Sequence, residues 1–370
     1  MTNIPLVDLR AQQAEIAAEV EPLVLDVLRS AWFVGGPHVA AFETAYAEYV
    51  GAGHCVGVAN GTDAIELALR VVGVGADDEV IMPGNTFIAT AEAASRIGAV
   101  PVPVDVDPEH LLIAPDAVAA AITEKTRAIV PVHLYGQVAP VEALEPIAAA
   151  AGVPIVEDAA QSQGARRHGR AAGALGAVAA TSFYPGKNLG ASGDGGGVTT
   201  NDAGLAAEVR LLANHGSAVK YQHEAIGMNS RLDAIHAVTL NAKLARLEDW
   251  NERRRQAADR YAALLDGVPG LRLPRSMPGN SDVWHLYVVR VEDRDRVLAE
   301  LNAAGVGAAL HYPDPWYLTP AYAGLGHAAG TCPVAEAAAG EILSLPLYPH
   351  LTAGQQEQVA TALVKALGGP

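Results

Sequence analysis

The sequence predicts an α/β fold in two parts. A large domain over residues 1–250, with an N-terminal helix, is built on a mostly parallel sheet, and a smaller α/β domain covers residues 251–370. Three observations carry this. Strand-sized apolar runs alternate with helix-sized segments from His54 to Thr200, the pattern of a parallel sheet buried on both faces. A chain of 370 residues is long enough for more than one folding unit. The texture changes past Gly267, where Pro274, Pro278, Gly279 and Asn280 mark a loop.

Each element follows from local pattern. Residues Arg10–Ser30 read as an amphipathic helix. His54–Ala59 is an apolar run that passes through Asn60-Gly61-Thr62-Asp63 into a helix ending near Val72. Glu79–Met82 passes through Pro83-Gly84-Asn85-Thr86 into a helix ending near Ile97. Ala99–Val104, Ala128–Val132 and Val153–Val156 are further strands with helical patterns between them, and Ala177–Phe183 and Gly196–Thr200 complete the series. A long helical stretch runs from Leu232 to Leu265, with Leu240, Leu244, Leu247 and Trp250 on one face. Beyond it, Val283–Arg290 and Val306–His311 read as strands, Asp293–Ala304 as a helix, and a last helix follows Thr352. There are no internal repeats.

Composition narrows the function. The formal net charge is −16, from 25 basic and 41 acidic residues, with no basic run, which argues against nucleic acid as a partner. An acidic chain must hold any anionic ligand locally, by helix N-termini, loop amides and a few arginines. Cys55 and Cys332 stand far apart and read as two reduced thiols. No apolar stretch is long enough to span a bilayer, and the N-terminus lacks a signal-peptide pattern, so a cytoplasmic location is expected. The twelve histidines are scattered, and no metal site is expected.

The segment Ser182-Phe183-Tyr184-Pro185-Gly186-Lys187-Asn188-Leu189-Gly190 sets a lysine past a strand end, on a Pro-Gly turn, with a serine five residues before it. That setting suits a lysine that forms a Schiff base with pyridoxal phosphate, which needs rigid placement and a hydroxyl near the cofactor phosphate. Upstream, Val156-Glu157-Asp158-Ala159-Ala160-Gln161 ends an apolar strand on a carboxylate, where it can pair with a protonated pyridine nitrogen or cap the following helix. Gln161 can reach the same ligand. Asn60-Gly61-Thr62-Asp63 is either a phosphate site at a helix start or a plain N-cap. Phe87, near the next helix start, can stack on an aromatic ring or belong to the core. Gly193-Asp194-Gly195-Gly196-Gly197 lacks the spacing of a nucleotide-binding loop and reads as a turn into a strand.

Together these motifs resemble the DegT/DnrJ/EryC1/StrS family of sugar aminotransferases. The resemblance extends from Pro5-Leu6-Val7-Asp8-Leu9 through Pro83–Thr90, Glu157–Gln161 and Ser182–Gly190 to Asn214-His215-Gly216 and Asn229-Ser230-Arg231-Leu232-Asp233. It implies a fold-type I, aspartate-aminotransferase-like architecture, pyridoxal 5'-phosphate as cofactor and a homodimer with shared active sites. By the resemblance, Lys187 is the Schiff-base lysine and Asp158 the partner of the pyridine nitrogen. Gln161 lies near the ring hydroxyl, Phe87 stacks on the ring, and Gly61, Thr62 and Ser182 form the phosphate cup. Asn229 reaches the phosphate of the partner subunit. Some family members are dehydratases with histidine at the lysine position, and Lys187 argues against that branch.

The implied reaction moves an amino group from L-glutamate to a nucleotide-linked keto sugar, most like the dTDP-3-keto-6-deoxyhexoses, in deoxyaminosugar biosynthesis. The 3-keto preference is what the resemblance implies at Val283–Val289 and at the pairing of His311-Tyr312-Pro313 with Leu343-Ser344-Leu345-Pro346-Leu347. Tyr184, Lys220, Tyr221, Arg231, His311 and Tyr312 are the candidate substrate contacts. A 4-keto sugar or keto-inositol substrate, and a cofactor-binding regulator without turnover, are the competing readings. The chain departs from the family pattern at Ser162-Gln163, Ile235-His236-Ala237 and Leu318-Thr319-Pro320.

Overall fold

In the computed structural model, which describes residues 3–369, seven strands align in one sheet. Their spatial order is His54–Val58, Gly196–Thr200, Val178–Ser182, Val156–Asp158, Thr126–Ile129, Glu79–Pro83 and Val100–Val104. Single-residue parallel bridges, Ile129 to Ile155 and Val132 to Asp158, join the two halves of the sheet. Every neighbouring pair is parallel except those made by Gly196–Thr200, which runs against both of its neighbours.

Both faces of this sheet are covered, which explains why its strands read as continuous apolar runs. Successive residues point to opposite faces. Ile81 and Ile129 pack with Val118, Val141 and Leu144 on one side, while Val80, Met82, Ala128 and Val130 pack with Leu67, Leu69 and Ala93 on the other. Parallel pairing has a second consequence: it brings the carboxyl ends of the strands to one edge, where open α/β sheets bind ligands. Asp158 ends one strand and Ser182 the next, and Asn60 follows a third. The reversed strand enters at this edge through Gly196. A Cβ there would lie 2.3 Å from the Asn60 carbonyl oxygen, so only glycine lets the two segments meet.

Residues 251–369 supply a second, smaller sheet. Tyr287–Val291 lies between Leu271–Arg272 and Ile342–Leu345, antiparallel to both. The helices Leu247–Leu264, Arg294–Ala303 and Ala353–Ala366 bury Tyr261, Val297, Leu301, Val359 and Leu363 against Val289 and Leu343. Thr352 and Gln355 close a capping box at the start of the last helix.

Three expectations are corrected. The stretch from Leu232 to Leu265 is two helices, Ala234–Leu244 and Leu247–Leu264. Ala245 and Arg246 keep right-handed helical angles across the break, so the apolar spacing runs through it undisturbed. Val306–His311 forms no strand; it makes single bridges from Val306 to Ile4 and from Ala309 to Ser344. There Gly307 lies too close to the N-terminal segment for a side chain, since a Cβ would fall 2.8 Å from the Leu6 nitrogen. The strand expected from Val283 begins only at Tyr287. Before it, Trp284 takes a left-handed φ of 47°, and Val283 and Leu286 donate their amides to the Gly136 and Tyr135 carbonyls of the large domain.

The strand that leads to Lys187 is anchored by aromatic packing. Phe183 is fully buried, edge-on to Phe42 and Tyr46 at centroid distances of 5.1 and 5.3 Å. Replacing Phe183 with alanine should cost about 3–5 kcal/mol of stability. Urea denaturation should show this as a lower midpoint; an unchanged midpoint would mean that the aromatic cluster is not what holds this strand.

Candidate active site

The edge defined by the strand ends opens into a cavity of about 430 Å³. Gly61, Thr62, Phe87, Asp158, Gln161, Ser182, Tyr184, Lys187, His311 and Tyr312 all line it. Ten of the fourteen sequence candidates thus meet in one place, drawn from both parts of the chain.

Lys187 stands on a tight turn. Its amide donates to the Tyr184 carbonyl at 2.9 Å, with Pro185 and Gly186 at the corners. The loop is closed at its base by the Ala191 amide on the Phe183 carbonyl, 2.7 Å, and Gly190 packs where a Cβ would fall 2.3 Å from the Pro185 oxygen. Buried polar groups brace both ends of it. Asn188 donates to Asn251 Oδ1 and to the Val283 carbonyl, each at 2.9 Å, and Lys243 Nζ donates to the Gly190 carbonyl at 2.7 Å. Lys187 keeps some accessible surface in the cavity, yet the dense protein around its amine lowers its pKa to about 8, with the Asp158 charge opposing the shift.

Asp158 is buried, and its oxygens take two hydrogen bonds. Thr90 Oγ1 donates to Oδ2 at 2.8 Å and the Ala160 amide donates to Oδ1 at 3.1 Å. Burial holds its carboxyl above the usual range, against the pull of these donors and of Lys187. Behind it, Glu157 is fully buried but stays ionised below the usual range, because His133 and the amides of Gly173, Leu175 and Gly176 all donate to it against the cost of burial. His133 Nδ1 takes the Ala139 amide, so its Nε2 carries the proton shared with Glu157.

At the helix Gly61–Val71 the N-cap reading holds. Asn60 Oδ1 caps the Asp63 amide at 2.8 Å, while the amides of Gly61 and Thr62 are beyond the reach of any helix carbonyl. A Cβ on Gly61 would fall 2.6 Å from Ser182 Cβ, so glycine lets the two segments approach, while Ser182 Oγ accepts the Tyr184 amide at 3.2 Å. Gln161 is held by the Tyr135 amide on its Oε1, 2.7 Å, and donates to the Tyr312 hydroxyl at 2.9 Å. Phe87 stands 5.2 Å from the Tyr312 ring. His311 Nδ1 lies 2.8 Å from Ser344 Oγ, and burial lowers its pKa to about 4. Gln163, one of the family departures, donates to Thr181 Oγ1 and to the Ser182 carbonyl, each at 2.9 Å.

Four candidates lie elsewhere. Asn229 bridges to Asn214, and Arg231 lines a second cavity with Arg210, Glu43 and Ser230. Lys220 stands over the ring of Tyr221, which is 81% exposed. Sequence reading missed Thr86, Thr90 and His285, which also line the first cavity. The repeat of threonine at Thr86 and Thr90, across the start of the helix Ala89–Arg96, was the available signal for the threonines. His285 reads in the sequence only as part of the segment Val283–Val289, and the irregular backbone before Tyr287 brings it to the cavity. Among the described residues, no group of three His, Cys, Asp or Glu side chains stands together as metal ligands. No helix there is long and apolar enough to cross a membrane.

Residues 14–364 match the DegT/DnrJ/EryC1/StrS aminotransferase family. The erythromycin biosynthesis sensory transduction protein EryC1 of Saccharopolyspora erythraea is 48% identical over 98% of this chain and 99% of its own. The dTDP-3-amino-3,4,6-trideoxy-alpha-D-glucose transaminase of Streptomyces venezuelae is 47% identical over 98% of this chain and 95% of its own. The crystal structure of S. venezuelae DesV in complex with a ketimine intermediate superposes with a TM-score of 0.96 at 47% identity, covering 99% of this chain and 98% of that one. Other solved relatives include PMP and PLP forms.

The electrostatics give a test with a definite sign. Below pH 8 most of the Lys187 amine is charged, and the neutral, nucleophilic form grows as pH rises through about 8. Asp158→Asn removes the charge that favours the ammonium, so the midpoint of Lys187 labelling by an amine reagent should move lower still. A midpoint near that of a free lysine, or an upward shift in the variant, would contradict this geometry.

Proposed function

The chain belongs to the DegT/DnrJ/EryC1/StrS aminotransferase family, and we propose that it moves the amino group of L-glutamate to the C3 ketone of a dTDP-linked 6-deoxyhexose, for deoxyaminosugar biosynthesis. The observation that carries this is the pairing of Lys187 and Asp158 across one cavity. The residues present fit pyridoxal phosphate. Open amides of Gly61 and Thr62 and the Ser182 hydroxyl suit its phosphate, Asp158 suits a protonated ring nitrogen, and the Lys187 amine suits its aldehyde. When bound, that group supplies an electron-accepting ring and the carbon that carries the amino group between substrates.

The protein's part is binding and proton handling. Lys187, with its pKa lowered to about 8, has enough neutral amine to take the α-proton of L-glutamate and to return a proton to the sugar's C3 in the second half. Asp158, as a carboxylate, would accept a hydrogen bond from the ring nitrogen and keep it protonated. Gln161, held by the Tyr135 amide, would lie near the ring hydroxyl, and the exposed face of Phe87 would stack on the ring. Tyr184, His311 and Tyr312 surround the space left for the hexose, with the nucleotide leading toward solvent.

The remaining candidates fit a two-fold dimer. Tyr221 and Ile226 are 81% and 92% exposed, on a loop flanked by Lys220 and Arg231, and Trp32 is 59% exposed. Large apolar side chains in water mark a contact surface. Seated against a second copy, this loop would bring Asn229 to the partner's phosphate site and Lys220 and Arg231 to the anionic nucleotide. We place this activity in the cytoplasm, as a homodimer.

Mixing holoenzyme with L-glutamate should convert the bound cofactor's absorbance to that of its amine form. Absence of the shift would favour a sensory role, which the name of the EryC1 relative suggests. In the reverse direction, 3-amino-3,6-dideoxyhexose nucleotides should react in preference to 4-amino isomers and amino-inositols; the opposite ranking would move the substrate assignment. For the dimer, Lys187→Ala and Asn229→Ala proteins should each be nearly inactive. Random exchange of subunits between them should restore about a quarter of the sites. No recovery after demonstrated exchange would confine Asn229 to its own chain.

A further inference from the structure

Asp158 does not meet the cavity alone. Thr90 Oγ1 lies 2.8 Å from Asp158 Oδ2, and Thr86 Oγ1 lies 2.9 Å from Thr90 Oγ1. The three side chains are 2%, 1% and 4% exposed for Thr86, Thr90 and Asp158, so water does not compete for these bonds. All three line the cavity that holds Lys187.

The direction of the chain follows from the inventory of protons. An ionised carboxylate only accepts, so Thr90 must spend its single proton on Asp158. The Thr90 oxygen can then only accept, and Thr86 must donate to it. The relay runs Thr86 to Thr90 to Asp158, one way. A protonated Asp158 would have a proton of its own to place, and the relay could run either way. The bonds as drawn therefore favour the carboxylate in the place where burial most disfavours it. They also fix the plane of the carboxyl group, since Oδ2 is tied to Thr90 and Oδ1 to the Ala160 amide at 3.1 Å, while each oxygen keeps a lone pair for a ligand.

We propose that Thr90, backed by Thr86, is a positioning residue that keeps Asp158 an oriented, ionised acceptor, so that the protonation of a bound pyridine nitrogen depends on the threonine relay and not on Asp158 alone. This rests on the assignment of pyridoxal phosphate made above. Thr90 touches Asp158 and acts through it.

The test compares affinities of the full-length apoprotein for pyridoxal phosphate and for its 1-deaza analogue, in which carbon replaces the ring nitrogen. Wild type should bind the natural cofactor more tightly than the analogue, because only the natural ring offers an N–H to Asp158. Thr90→Val keeps the shape and removes the donor. It should lose much of that preference, roughly ten- to a hundredfold, the size of a hydrogen bond to a charged group. Thr90→Ser should retain the preference, and Thr86→Val should lose a smaller part of it. A merely structural threonine would weaken both ligands equally and leave their ratio unchanged. Should Thr90→Val fail to fold, Thr86→Val and Thr90→Ser decide the matter by the same ratio. A wild-type ratio in the valine variants overturns the relay. Wild type that fails to bind pyridoxal phosphate would overturn the cofactor assignment itself, and wild type that binds both ligands alike would overturn the relay by removing Asp158 from the ring nitrogen; both differ from loss of the ratio in the variants.

Discussion

Burial of two opposite charges at one edge of a parallel sheet is the constraint on which the rest of this structure depends. Asp158 and Lys187 are each placed where the charged form is costly, and the shifts run toward each other, the acid upward and the amine downward. Neither could persist there without neighbours. Asp158 has Thr90 and the Ala160 amide, and Lys187 has the charge of Asp158. A base that is neutral enough to move protons and an acid that stays ionised to hold a ring nitrogen are the two requirements of amino-group transfer. The fold brings the two groups together through one geometric fact, that paired parallel strands end side by side.

Much of the scaffold serves to hold that edge still. The lysine loop is gripped by Asn188 on one side and Lys243 on the other, and its leading strand by Phe183. The smaller sheet contributes His285 through the irregular segment before Tyr287, where the Trp284 backbone takes a left-handed turn. Asn188 spends both amide protons on Asn251 and Val283, so its oxygen must accept from His285 Nδ1 at 3.2 Å. That leaves the Nε2 lone pair of a histidine held well below its usual pKa by burial. The two parts of the chain thus share the cavity wall.

The parts of the site legible in the sequence were those written locally. A strand ending in Asp158, a Pro-Gly turn carrying Lys187 and a glycine at a helix start each announce their geometry within a few residues. The resemblance then ordered them. What escaped was set at a distance. Thr90 matters because it meets a residue 68 positions away, which no local pattern encodes. The break at Ala245 and Arg246 left the apolar spacing intact, and Val306–His311 has strand composition but only single partners. Asn229, Lys220, Tyr221 and Arg231 do not line this cavity, and only for Asn229 did the resemblance imply a role across subunits.

Two amines in this chain have pKa values lowered to about 8, those of Lys187 and Lys243, but only Lys187 lines the cavity; Lys243 is committed to the Gly190 carbonyl. Reactivity alone would not separate them, whereas placement does. Borohydride reduction of the holoenzyme followed by peptide mapping is therefore the most direct measurement. The pyridoxyl label is expected on the peptide containing Lys187 and on no other. Label on Lys243, or spread over Lys125, Lys220 and Lys365, would contradict the account at its centre.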